Sequence, residues 1–156
     1  MNQELERLAA EVGLNDPAHE PLRLAFGLAC VSRVEHLLEE PQANECLAVL
    51  RAYVAGQADR PALTAASEKI AAIAGSHRGS GSIDGSAHAA VSATYAVANA
   101  LAGKALEAAS YAAYATVYSY GGYAISDRSA FEGEFGWQVE KLRDLPRLYA
   151  TAIRGV

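Results

Sequence analysis

Apolar residues recur three and four apart along most of this chain, the spacing of one face of a helix. Leu5, Leu8, Ala9 and Val12 define a short first helix over residues 2–12, with Gly13 as its stop. Asn15-Asp16-Pro17 is a turn and cap signal, and Pro21 falls in a first helical turn, where its missing N–H costs nothing. From Leu22 to Glu40 the positions Leu22, Phe26, Ala29, Cys30, Val34, Leu37 and Leu38 predict one long amphipathic helix, with Arg23, Arg33, Glu35 and Glu39 outside it. Pro41 opens a third helix that faces inward through Ala43, Leu47, Leu50, Tyr53 and Val54 and is closed by Gly56. Asp59-Arg60-Pro61 opens a fourth, running to about Ala74 with Leu63, Ala66, Ile70 and Ile73 inward.

The pattern breaks at GSHRGSGSIDGS (75–86), whose four glycines and four serines predict a mobile loop. A loop of that length inside a compact domain is more often functional or disordered than a mere connector. The next forty residues, Ser86 to Ile125, are what the chain is organised around. Between Ala87 and Ala124 lie fifteen alanines and only two charged residues, Lys104 and Glu107. Alanine is the best helix former, so the halves on either side of Gly103 are predicted to be helices, with Asp84 or Ser86 capping the first. Both are too apolar for a surface position, which makes them the expected central pair. Ser, Thr, Asn and Tyr interrupt them too often for a membrane span, which needs about 20 strongly apolar residues. Gly121-Gly122 predicts fraying or a bend. Ser129-Ala130-Phe131-Glu132 has capping-box spacing for a last main helix, with Phe135, Val139 and Leu142 inward, Trp137 off the stripe and Pro146 as the end.

Composition narrows the class. A chain of 156 residues with 51% hydrophobic content suits one domain, 1–156, with its main body at about 17–145. The net charge of −5 comes without any Lys/Arg-rich stretch, so no nucleic-acid partner is expected. The acidic excess lies entirely in residues 1–75, which hold eleven acids against six bases. Two cysteines, Cys30 and Cys46, and an N-terminus without a basic start and apolar run predict a cytoplasmic protein with reduced thiols. On a helical hairpin turning near Pro41 the two cysteines would not face each other, so both are read as small core residues.

Candidate chemistry is sparse. His19, His36, His77 and His88 are scattered, with neither HExxH nor a Glu-x-x-His pair, so no metal and no cofactor is expected. GSGS is not a nucleophile elbow and has no Walker lysine, and no catalytic residue is assigned. Tyr111, Tyr114 and Tyr118 lie at i, i+3 and i+7 on one helix face, which fits either core filling between alanines or a recognition surface. Glu35, Glu39, Glu40 and Glu45 cluster around the second turn, as a solvated helix end or as an acidic patch for a basic partner.

CVSRVEHLLEEP (30–41) with LRAYVAGQ (50–57), then YAVANALAGKALEAASYAAYA (95–115) and EFGWQVEKLRDL (134–145), resembles a family of all-helical immunity proteins of bacterial polymorphic toxin systems. That family shows Cys-x-x-Arg-Val, an Arg-x-Trp-x-x-Gly helix end, tandem alanine-rich helices and a late Trp-Gln. Here Tyr53 stands for the usual aromatic of the third helix, and PQANE stands where the family has an Asp/Arg-Pro-Arg segment after the second helix. The resemblance implies binding and blocking of a cognate toxin, with no catalytic residues to carry over. The expectation is therefore an all-α, single-domain antiparallel bundle of about seven helices around an alanine-rich pair. Tyr111, Tyr114, Tyr118, Glu39 and Glu40 are its candidate partner-binding residues. Alternatives are a helical ligand-binding domain or enzyme with its site near 75–86, and a homodimer or larger homo-oligomer built on alanine and tyrosine faces.

Overall fold

In the computed structural model residues 2–76 and 85–153 are described, without the side chains of 85–87, 122 and 147–153. Seven α helices and no strand occur among them: α1 (Gln3–Val12), α2 (Glu20–Ser32), α3 (Pro41–Val54), α4 (Arg60–Ser76), α5 (Gly85–Leu101), α6 (Ala105–Ser119) and α7 (Glu132–Ile153). The α5–α6 hairpin makes the most extensive pairing in the fold. It turns at Gly103, whose φ of +76° is strained for any residue with a Cβ. α2 lies across both members of the hairpin and also touches α3 and α7, while α4 flanks α5 and α1 rests on α7.

Alanine is the reason these helices approach so closely. Ala93, Ala96, Ala100, Ala108, Ala109, Ala112 and Ala113 are all buried, and a Cβ added to Gly27 of α2 would stand 3.3 Å from the Cβ of Ala100. Larger side chains fill the layers outside the hairpin: Phe26, Leu22, Leu47, Leu50, Ile70 and Leu142 are all fully buried. A smaller cluster of Ala113, Val117, Ala124 and Phe131 closes the end of α6. Cys30 and Cys46 are buried and unpaired in the main core. Burial, followed by the nearby Glu134, pushes the Cys30 thiol well above its usual value.

Four expectations about element ends are corrected. The long helix read over 22–40 stops at Ser32 and gives way to a 3₁₀ turn at Glu35–Leu37. Glu40 must be extended because it precedes Pro41, and Leu38 is already extended, so the chain has left the helix before it reaches the proline. The apolar rhythm survives because a 3₁₀ turn also repeats every three residues, which leaves Val34 fully buried. The expected loop is shorter at both ends, since Gly75 and Ser76 belong to α4 and Gly85 and Ser86 to α5; its remainder, 77–84, and the candidate cap Asp84 lie outside the described residues.

Ahead of α7 the cap is Asp127, not Ser129. Its carboxylate accepts hydrogen bonds from the Ser129 amide at 3.0 Å and the Ser129 hydroxyl at 2.7 Å, and starts a 3₁₀ turn (Arg128–Phe131) that leads into the helix. These bonds hold Asp127 below the usual carboxylate value. α7 then continues through Pro146 to Ile153. Burial of Leu142 and Leu145 holds the turn on which the proline stands, outweighing the backbone bond that it removes. The bend expected at Gly121-Gly122 is present: α6 stops at Ser119 and a 3₁₀ turn spans Gly122–Ser126.

Candidate partner-binding surface

The tyrosines of α6 sit on the face of the hairpin that the core does not use. Because α6 turns its alanines inward at 108, 109, 112, 113 and 115, Tyr111 and Tyr114 are left on the outer face, 38% and 42% exposed, and Tyr118 is half-buried. Tyr120 and Tyr123 follow just past the helix end, at 59% and 82%. These four exposed tyrosines are the large apolar side chains that the described surface displays, and all fall between Tyr111 and Tyr123.

The three tyrosines within α6 are held by aromatic packing. Tyr95 of α5 stacks on Tyr111 with ring centroids 5.3 Å apart, and His88 of α5 stacks on Tyr118 at 5.0 Å. Both pairs obey the same antiparallel register about Gly103, so Tyr111 and Tyr118 each have a flat support from α5. Tyr114 packs edge-on against Phe131 at 5.2 Å, and Phe131 leans on Phe135 at 5.4 Å, which carries the aromatic strip across to α7. A tyrosine braced on one side and wet on the other gives up little entropy when a partner covers it.

Glu39 and Glu40 are placed elsewhere. Both are exposed at the start of α3, a helix that packs on α4, α2 and α5, and no ion pair involves either among the described residues. Their neighbours in the acidic cluster are engaged: Glu35 pairs with Arg51 at 2.8 Å and Glu45 with Lys69 at 3.3 Å. The tyrosine row and the two glutamates therefore occupy different elements.

A polar cluster that the hydrophobic pattern hides joins α2 to α7. Arg33 makes a two-pronged ion pair with Glu134, Nε to Oε1 at 2.8 Å and Nη2 to Oε2 at 2.9 Å, and its guanidinium lies 4.1 Å from the Trp137 ring centre. Glu134 is almost fully buried. The bonds to Glu134 hold the Arg33 guanidinium above its ordinary value against partial burial, and Tyr120 contributes in the same direction. One turn along, Gln138 is fully buried; its Nε2 donates to the Ala109 carbonyl at 2.8 Å and its Oε1 accepts from Asn2 at 3.3 Å. Glu134, Gln138, Val139, Leu142 and Leu145 thus form the inner face of α7. Val139 and Leu142 lie inward as the apolar pattern predicts, Phe135 is half-buried, and the two polar members are the ones an apolar count misses. The signal available in the sequence was the i, i+4 spacing of Glu134 and Gln138 ahead of Leu142.

Arg33, Trp137 and Gln138 are also among the residues that carried the family resemblance. The family described as "Imm-5 like putative immunity protein" matches residues 17–145, most of the chain. The chain belongs to that family. No curated protein and no solved structure gives a significant match. Membership assigns an immunity role, and an immunity protein implies a toxin as its partner. Among the described residues no helix is long and apolar enough to cross a membrane.

Proposed function

We propose that this chain neutralises a cognate bacterial toxin domain by binding it in the cytoplasm, with Tyr111, Tyr114, Tyr120 and Tyr123 as the contact anchors. Tyr118, stacked on His88, packs against Tyr114. The observation that carries this reading is the concentration of the exposed large apolar residues on α6 and the turn after it. Interfaces draw most of their affinity from a few aromatic or arginine anchors, and rigid tyrosines with a wet hydroxyl are frequent among them. Inhibition by covering needs only such a surface on a stiff scaffold, which an alanine-packed bundle supplies. Glu39 and Glu40, exposed and without an ion-pair partner among the described residues, act on approach, by drawing in a basic toxin domain.

The test is co-expression with an adjacent-gene toxin domain, followed by size exclusion and a binding titration of the purified pair. Rescue of growth with a stable complex is expected, and Tyr111→Ala or Tyr123→Ala weakens the complex by about 10- to 30-fold. Glu39→Lys with Glu40→Lys slows association and flattens its salt dependence while leaving dissociation unchanged. Failure to bind any adjacent toxin domain, substrate turnover by the isolated chain, or tyrosine variants that alter only self-association would overturn the reading.

A further inference from the structure

The geometry points to a specific docking groove for the toxin, on the side of α6 that faces α1 and α7, which receives an apolar side chain flanked by lysine or arginine. This rests on the function proposed above and adds where the partner inserts and what chemistry it presents. Two open clefts, of about 220 and 590 Å³, meet at Ser110 of α6 and Phe135 of α7, which line both. Together they form one trough. Its larger end is walled by Tyr114, Ile125, Phe131 and Phe135, so the aromatic strip described above forms the floor and one side. The exposed Tyr114 belongs both to the tyrosine surface and to the trough, making the two continuous.

Charge selects the occupant. The exposed charged side chains on the rim are Glu6 and Glu107 at the smaller end and Glu132 with Arg128 at the larger. Three carboxylates stand against one guanidinium, and none of the four takes part in an ion pair among the described residues. The smaller end carries no base at all in its lining, and neither end contains a histidine, cysteine or lysine. Apolar walls beneath an unneutralised acidic rim complement a segment whose apolar side chain enters the trough while its basic neighbours meet Glu6, Glu107 and Glu132. An acidic or purely polar segment would lose the walls and be repelled by the rim.

Ser110 supplies the experiment, because it is exposed, lies where the two ends meet and contributes nothing to the core. A photoreactive benzoylphenylalanine at position 110 of the full chain, irradiated with the adjacent-gene toxin domain, is expected to crosslink to a toxin peptide that contains Lys or Arg beside an apolar residue. Ser110→Trp, which fills the trough, lowers affinity by about 100-fold, and Glu107→Lys slows association by about 5- to 10-fold at low salt. The Glu107 variant keeps the proposal open to refutation should the tryptophan disturb folding. A wild-type chain that binds no toxin domain defeats the proposed function and this groove together. A toxin complex weakened by Tyr111→Ala or Tyr123→Ala but indifferent to Ser110→Trp and Glu107→Lys defeats the groove alone. So does a crosslink that joins two copies of this chain.

Discussion

Glu134 shows how a single charged side chain can be structural in one molecule and invisible to pattern. Its carboxylate is 4% exposed while its partner Arg33 is 39% exposed, so the pair is asymmetric. Removing the arginine strands a charge that water cannot reach; neutralising the glutamate leaves an arginine that still has solvent and the face of Trp137. Arg33→Ala is therefore expected to lower the unfolding free energy by about 2–3 kcal/mol, below the full figure for a buried pair because Arg33 is partly in water. Glu134→Gln, which keeps the volume, is expected to lower it by only about 1 kcal/mol. Arg33→Lys falls between them, since an ammonium can neither grip both carboxylate oxygens nor stack flat on the indole. Denaturant titration of the three variants gives the order; Glu134→Gln proving the most harmful would refute the clamp.

The hairpin of α5 and α6 depends on small side chains across its whole inner face. Ala96 and Ala109 are both fully buried, the second with its carbonyl held by Gln138, so neither has room for three further carbons. Ala96→Leu or Ala109→Leu is expected to cost about 1–3 kcal/mol through overpacking. Ala102→Leu, at the exposed hairpin turn, is expected to change stability by less than about 0.5 kcal/mol. Equal behaviour of the three in thermal or denaturant melts would mean that the alanine faces are not the packing surface. The same periodicity that turns alanine inward determines the outer row at 111, 114 and 118, so the tyrosine face follows from the hairpin and needs no separate cause.

Across the whole molecule, α1 precedes the family-matched segment, which begins at residue 17, yet it is built into the core. Leu5 and Ala9 are buried, and Asn2 both caps α1 by accepting from the Leu5 amide and donates to the Phe135 carbonyl at 3.2 Å and to Gln138. Deleting residues 1–13 would uncover the polar side of Gln138 and the apolar patch beneath Leu5. The expected loss is about 3 kcal/mol or more, from one buried leucine, one alanine and the tie between helices. A truncated chain melting with the intact one would show that α1 is an appendage. α1 also contributes Glu6 to the proposed docking trough, so its removal is expected to weaken toxin binding as well as folding.

The helical class, the alanine-rich pair, its turn at Gly103 and the start of α3 at Pro41 were legible along the chain, because each follows from a local cause: propensity, period, a left-handed glycine or a proline at a first turn. The burial of Cys30 and Cys46 was legible for the same reason. Where α2 ends, which residue caps α7, and that α7 survives Pro146 were not, since these depend on what the neighbouring turn does and on how Leu142 and Leu145 are packed. Arg33 and Glu134 are about a hundred residues apart, and only the arrangement of α2 against α7 brings them within bonding distance. Whether the tyrosines fill the core or face the solvent likewise awaited the fold. A period places Tyr111, Tyr114 and Tyr118 on one face, but only the packing of α2, α5 and α7 around α6 decides which face is left to the solvent.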